Sequence, residues 1–509
     1  MIRRVKTENG WVRGIAASDP RITSYKGVPF AKPPVGENRW RAPQPCEDWD
    51  GEFFACEFSP IPMQGPISAD PKNLYDREWH VDKEIPMGED CLTLNIWAPA
   101  DGRRDMPVFV WFFGGGLQVG YTAEMEFDGE RIARRGIVVV TVNYRVNVFG
   151  FLSHPELTAQ APDTPANFGF LDQQAALKWV KRNIAAFGGD PENVTIGGQS
   201  AGGMSVSAQL TCPQNKGLFN RAIIQSGAFA PPYPFRFGLC SDIKDAERVG
   251  QAFFDFLGVK TLAEARRLDA VTLRDKALEW DGRYGWGRTF GEVVDGVFSQ
   301  RNSQEWFMDE NRLNVPVLLG HTSSEFIHKP DAVDEESLKA FAAKSFGADA
   351  DAFLECFSHP ADENSISREG SINTIEFAVR AAERCIAGKG DKTPLYYYMF
   401  DAEIPGWDDP GTFHSVDLWF FFETLAKCWR PFRGKHYDLA RQMCDYWCNF
   451  IKTGDPNGED SQGQPLPYWP VFDKDEPVRM RFADAAQPQR CPAGRLTEFL
   501  LDKYLENKT

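Results

Sequence analysis

A chain of 509 residues can bury a large core, and with 42% apolar and 25% charged residues it has the composition of a folded protein. The formal net charge of −16 argues against nucleic acid as a partner, which needs a basic face, and against docking on anionic lipid. No stretch approaches the ~18 apolar residues needed to span a bilayer, and no linker, repeat or low-complexity block divides the chain, so 1–509 reads as one domain.

The start, Met1-Ile2-Arg3-Arg4, is not followed by the apolar run of a secretory leader. The 11 cysteines are scattered without Cys-x-x-Cys, and Cys444 and Cys448 have no histidines at metal-binding spacing. They read as reduced thiols of a cytoplasmic protein that needs no metal or organic cofactor. Residues 107–113 and 137–142 are continuous apolar runs, as in central strands covered on both faces. A helix is expected over 167–187, where Leu171, Leu177, Val180 and Ile184 recur near helical spacing. Further strands are expected at 194–197, 221–226, 315–320 and 394–400, the last closing the main sheet. The alternation predicts an α/β fold, with a mostly parallel sheet flanked by helices. Residues 232–312 and 332–390 are helical and aromatic, and read as insertions roofing a pocket at the carboxyl edge of the sheet. Leu496, Phe499, Leu500 and Tyr504 mark an amphipathic C-terminal helix.

Within this pattern Val194-Thr195-Ile196 runs into Gly198-Gln199-Ser200-Ala201-Gly202, a Gly-x-Ser-x-Gly between strand and helix. That context is the nucleophile elbow of α/β-hydrolases, which exposes the serine on a strained turn. A serine hydroxyl needs a base, held in turn by a carboxylate, in the chain order Ser, acid, His. Of His328, His359, His414 and His436, the small-residue loop Gly411-Thr412-Phe413-His414-Ser415 after the 394–400 strand favours His414, and the other three read as solvated. Glu325, just past the 315–320 strand, leads for the acid, with Asp295 of Val294-Asp295-Gly296 as rival. The oxyanion of a tetrahedral intermediate needs donors worth ~3 kcal/mol each. Gly114-Gly115-Gly116 can aim backbone N–H groups at it, joined by the N–H of Ala201. The glycine run fits neither a dinucleotide fingerprint nor a P-loop. Three residues without Cβ also suggest room for a branched alcohol beside the oxyanion.

These segments together resemble the type B carboxylesterase/lipase family, which includes cholinesterases and bacterial para-nitrobenzyl esterases. The resemblance rests on residues 25–36, Glu89-Asp90-Cys91-Leu92, Asn143-Tyr144-Arg145, the elbow, Gln225-Ser226-Gly227 and 452–458. It implies the α/β-hydrolase fold and a serine esterase acting on a small-molecule ester through an acyl-enzyme. The triad it implies is Ser200, Glu325 and His414, with Gly115, Gly116 and Ala201 as the oxyanion hole. Ser226 then supports the acid, unless it is an ordinary strand serine. The chain departs from the family at Phe113, usually His or Tyr, and at Gln199, usually Glu, which weakens any case for a cationic substrate. The cysteine that would pair with Cys91 aligns near Pro62, and Cys56 is the nearest thiol. Trp79 lies near the choline-binding tryptophan of cholinesterases but out of register, so pocket wall or core is the favoured reading. Other acyl bonds (amide, thioester, lactone) suit the same machinery, a non-catalytic binding protein is the outside alternative, and monomer and weak dimer stay open.

Overall fold

Continuous apolar runs need cover on both faces, and in the computed structural model they form the middle of an eleven-stranded sheet. Residues 1–79, 82–233, 241–285, 289–388, 390 and 392–506 are described. In chain order the main-sheet strands are β1 Ile15–Ala16, β2 Ile22–Pro29, β3 Thr93–Pro99, β4 Met106–Phe112, β5 Val138–Val142 and β6 Gly189–Gln199. Then follow β7 Arg221–Gln225, β8 Val317–Thr322, β9 Leu395–Phe400, β10 Val478–Phe482 and β11 Ala486–Arg490. Their spatial order is β11-β10-β9-β8-β7-β6-β4-β5-β3-β2-β1. Pairing from β10 through β5 is parallel, and both flanks are antiparallel. The sheet is therefore mostly parallel, with helices α1 Phe168–Asn183, α2 Ala201–Thr211, α3 Thr374–Gly388, α4 Asp417–Phe421, α5 Gly434–Thr453 and α6 Arg495–Glu506 among those around it.

One edge of the sheet departs from the sequence reading. The strand at 395–400 does not close the sheet, because the hairpin β10–β11 adds beyond it with Met399 opposite Arg481. Arg-Met-Arg and Gln-Pro-Gln have too little apolar character to read as sheet. The outer edges are the two-residue β1 and β11, which carries Pro488. Helical insertions lie between β7 and β8 (Ile243–Leu257, Leu262–Arg266, Ala270–Tyr284) and between β8 and β9 (Glu335–Phe346, Glu363–Gly370, α3). Positions 234–240, 286–288 and 389 of these insertions lie outside the described residues. The core extends from Val5 to Leu501, and Leu496 and Leu500 of α6 join it as the pattern predicts.

Candidate active site

The residues singled out by the sequence follow the carboxyl ends of parallel strands, where an open α/β sheet leaves a crevice. Ser200 sits between β6 and α2 at φ +55°, ψ −125°, a conformation that only over-determined surroundings hold in a non-glycine residue. The surroundings are close. A Cβ on Gly198 would lie 2.2 Å from the carbonyl oxygen of Gly202, and one on Gly202 would lie 2.0 Å from that of Phe112. Both glycines are thus required by contact between strand and helix backbones. The Ser200 N–H donates to the Gln225 carbonyl at 2.8 Å, tying the turn to β7.

The glycine loop lies directly against the elbow. A Cβ on Gly114 would meet the Gln199 carbonyl oxygen at 2.8 Å and Ser200 Cβ at 3.1 Å. Gly115 and Gly116 have φ of +103° and +65°, and the Gly115 carbonyl accepts the N–H groups of Gln118 and Val119 at 3.0 and 3.1 Å. Among the described residues, neither glycine N–H donates to a backbone carbonyl. A Cβ on Gly115 would collide with the Val119 carbonyl oxygen at 2.2 Å. At 114 and 115 the missing Cβ atoms therefore serve loop closure, and the room expected there for a branched alcohol is taken by protein backbone. Phe113 removes a polar side chain from the loop, yet the loop keeps a polar support. Tyr144 stacks on the Phe113 ring at 4.1 Å and donates its hydroxyl to the Phe113 carbonyl at 2.7 Å.

Glu325 follows β8, and its side chain is buried. Oε1 accepts the Ser226 hydroxyl at 2.6 Å and the Thr322 N–H at 2.7 Å, while Oε2 accepts His414 Nδ1–H. Burial opposes the carboxylate charge, but His414, then His321 and the Ser226 hydroxyl, hold its pKa below the ordinary range. Ser226, just past the end of β7, thus donates directly to this carboxylate. The two loops are stitched together by Ser324 Oγ, 2.9 Å from Thr412 Oγ1. Phe326 meets the His414 ring edge-on at 4.9 Å.

In the neutral ring that donates Nδ1–H to Glu325, Nε2 carries a lone pair. That lone pair faces the amide of Gln199, whose Nε2 is 3.3 Å away. Among the described residues, no hydrogen bond joins His414 to Ser200. Sequence reasoning gave no signal for this contact between positions far apart in the chain. Nor did it single out Asp417, three residues after His414, whose Oδ2 accepts Tyr398 Oη at 2.9 Å and Gln225 Nε2 at 3.3 Å. Burial first, and then the charge of Glu325, push its pKa up to about 6.

The rival candidates are occupied elsewhere. Asp295 caps its own turn, accepting the N–H groups of Val297, Phe298 and Ser299 at 2.9 Å. His359 pairs with Glu335 at 2.9 Å on the surface, and His328 is half-buried in a two-residue strand. His436 departs from the expected solvated state: it is buried in the first turn of α5, where Nδ1 accepts the Arg433 N–H at 2.9 Å. Trp79 is buried and stacked on Trp419 at 5.1 Å, so core is the better description. Cys91 and Pro62 line one small cavity, in keeping with the alignment of Pro62 opposite this cysteine. Among the described residues, no group of three or more His, Cys, Asp or Glu could hold a metal ion, and no helix is long and apolar enough to cross a membrane.

The strand order, the elbow and the placement of these residues define an α/β-hydrolase. The match to known proteins goes further: residues 2–494 fit the model of the carboxylesterase family, and the chain belongs to that family and is a carboxylic ester hydrolase of the serine type. It is 31% identical over 486 residues to a para-nitrobenzyl esterase of Bacillus subtilis (strain 168), covering 92% of each chain. It is 29% identical over 484 residues to a fumonisin B1 esterase of Sphingopyxis macrogoltabida, covering 92% of this chain and 84% of that one. A solved PNB esterase superposes with a TM-score of 0.79 at 28% identity, covering 98% of this chain and 99% of the other.

Proposed function

We propose that Ser200, His414 and Glu325 carry out ester hydrolysis through an acyl-enzyme, with Gly115, Gly116 and Ala201 as donors to the oxyanion. The observation that carries this reading is the engagement of Glu325: both oxygens are bonded, and one holds His414 Nδ1. That fixes the tautomer whose Nε2 can take a proton. The Gln199 amide must swing off Nε2 before Ser200 Oγ can donate to it. Ser200 Oγ then attacks the carbonyl carbon, His414 takes the serine proton, and it returns that proton to the departing alkoxide. Water repeats the sequence on the acyl-enzyme, with His414 again as base. The N–H groups of Gly115, Gly116 and Ala201 receive the charge that develops on the carbonyl oxygen.

The substrate reading is a neutral ester. Gln199 brings no negative charge beside Ser200, and one face of Trp79 is covered by Trp419, which leaves it poorly placed to stack on a quaternary ammonium. A fluorophosphonate probe should label Ser200 in the wild type and leave Ser200→Ala unlabelled and inactive, with turnover reduced ~10⁴–10⁶-fold. Labelling at another serine overturns the assignment. Comparison of butyrylcholine with its uncharged 3,3-dimethylbutyl isostere tests the substrate class, and a higher kcat/KM for the choline ester refutes it. The cytoplasmic location is likewise our reading, supported by Pro62 opposite Cys91. Titration of free thiols in protein taken from cells without reductant checks it.

A further inference from the structure

A cavity of about 420 Å³ opens far from Ser200. Its wall carries six arginines (Arg21, Arg103, Arg131, Arg134, Arg135 and Arg441) and two carboxylates, Asp101 and Glu423. The arginines come from four segments: the approach to β2, the β3–β4 link, the turn of helix Glu130–Ala133 with the residues after it, and α5. Three of these segments precede strands that run toward Ser200, so the cavity sits at the amino edge of the sheet. Strands of five to eight residues separate the two edges, roughly 17–26 Å at ~3.3 Å per residue.

Six guanidinium groups repel one another, and the surrounding acids explain how they are held together. Asp19 bridges Arg21 at 2.6 Å and Arg134 at 3.2 Å. Asp101 holds Arg103 at 2.8 Å, and Asp438 holds Arg441 at 2.7 Å. Arg135 is held between Glu423 at 2.8 Å and Asp445 at 2.5 Å. Arg131 has no acidic partner among the described residues. The set is five acids against six arginines, and the excess positive charge rests on Arg131. Asp19, Asp438 and Asp445 do not line the cavity, so the wall itself is dominated by guanidinium forks. Forks already fixed by ion pairs lose little further freedom when they take an oxyanion, and their planar geometry matches phosphate oxygens two at a time.

The volume lies within the usual range for small-molecule sites. It exceeds what one phosphate fills, and donors converge from separate segments. We infer that this cavity binds a small anion bearing a diphosphate group, independently of the ester site. Because the chain as a whole carries −16, capture rests on these local contacts and not on the long-range field.

The test is calorimetric titration of the full chain with sodium pyrophosphate, with ionic strength held constant by sodium chloride. The expected result is saturable one-to-one binding, weakened at least tenfold by Arg131→Gln and by Arg441→Gln, and less by Arg131→Lys, which keeps the charge but loses the fork. Neither Gln variant strands a buried carboxylate, and the melting temperature without ligand checks that each has folded. Hydrolysis of an uncharged ester should be unchanged in both, and enzyme blocked at Ser200 by a fluorophosphonate should bind pyrophosphate as before. A nucleoside diphosphate titrated in parallel separates the sources: tighter binding assigns an organic diphosphate, and weaker binding the free anion. Absence of binding by both, undiminished binding in the Gln variants, or loss of binding on blocking Ser200 overturns the proposal.

Discussion

Ser200 and His414 are held by different means, although they must meet in one reaction. The nucleophile is fixed by backbone against backbone, with Gly198, Gly202 and Gly114 each where a Cβ would strike a carbonyl or the serine itself. The histidine is fixed by side chains, through Glu325, Ser226 and the stitched hydroxyls of Ser324 and Thr412. Backbone contact admits almost no adjustment, whereas a hydrogen-bonded side chain can change partner, and His414 has Gln199 on the nitrogen meant for Ser200. Changes to the glycines that seat Ser200 should therefore act on folding, and changes to the side chains that hold His414 on rate and pH dependence.

The sharpest separation comes from Glu325→Gln. The amide can donate to Nδ1 and select the wrong imidazole tautomer, so kcat should fall ~10³–10⁴-fold while the protein stays folded. Steady-state kinetics beside circular dichroism check this. Gly202→Ala should do the reverse, losing soluble folded protein through a clash that costs more than ~3 kcal/mol. Soluble yield and the denaturant midpoint measure it, and a well-folded, inactive Gly202→Ala would break the comparison.

Two buried acids on the histidine side sharpen it through pH. Glu325 is held below its ordinary pKa, so its contribution to stability is full above ~4.3 and is lost as pH falls below that. Asp417 has the opposite sign. Its pKa is raised to about 6, so its penalty is absent at low pH, grows between ~3.9 and 6, and is constant above. Its Oδ1 and the Oε1 of Gln225 are two buried acceptors without a donor among the described residues. Asp417→Asn removes the buried charge and replaces one acceptor with a donor, and should stabilise the fold at pH 8 by up to about 3 kcal/mol, and by much less at pH 4. Thermal melts at the two pH values test the sign. Ser226→Ala removes one donor to the Glu325 carboxylate and should lower kcat about tenfold with KM little changed. Gln199→Ala is the smallest change: freeing Nε2 should move kcat by only a few-fold, and a loss of a hundredfold would make the amide part of the chemistry.

Much of this arrangement was legible in the sequence. Apolar runs at 107–113 and 137–142 gave central strands because parallel strands are covered on both faces. The elbow was legible because its glycines are demanded locally, by contacts within a few residues of Ser200 and against the next strand. The hairpin β10–β11 escaped because edge strands need no continuous apolar face. The partners of Glu325 and His414 at Gln199 and Thr322, and the pairing of Asp417 with Gln225, depend on side chains brought together by the fold, and no local pattern records them. The arginine cavity ran against the overall charge, because net charge says nothing of how four segments converge.

The edges of the main sheet bear on behaviour at high concentration. An open strand edge is a template for a second chain, and a sheet this wide would be hazardous with a long, flat border. One border here is only the two residues of β1, and the other, β11, carries Pro488, which has no N–H to offer, and ends on Arg490. A neighbouring copy therefore finds little ladder to extend, and the protein should resist growth into cross-strand aggregates even when crowded.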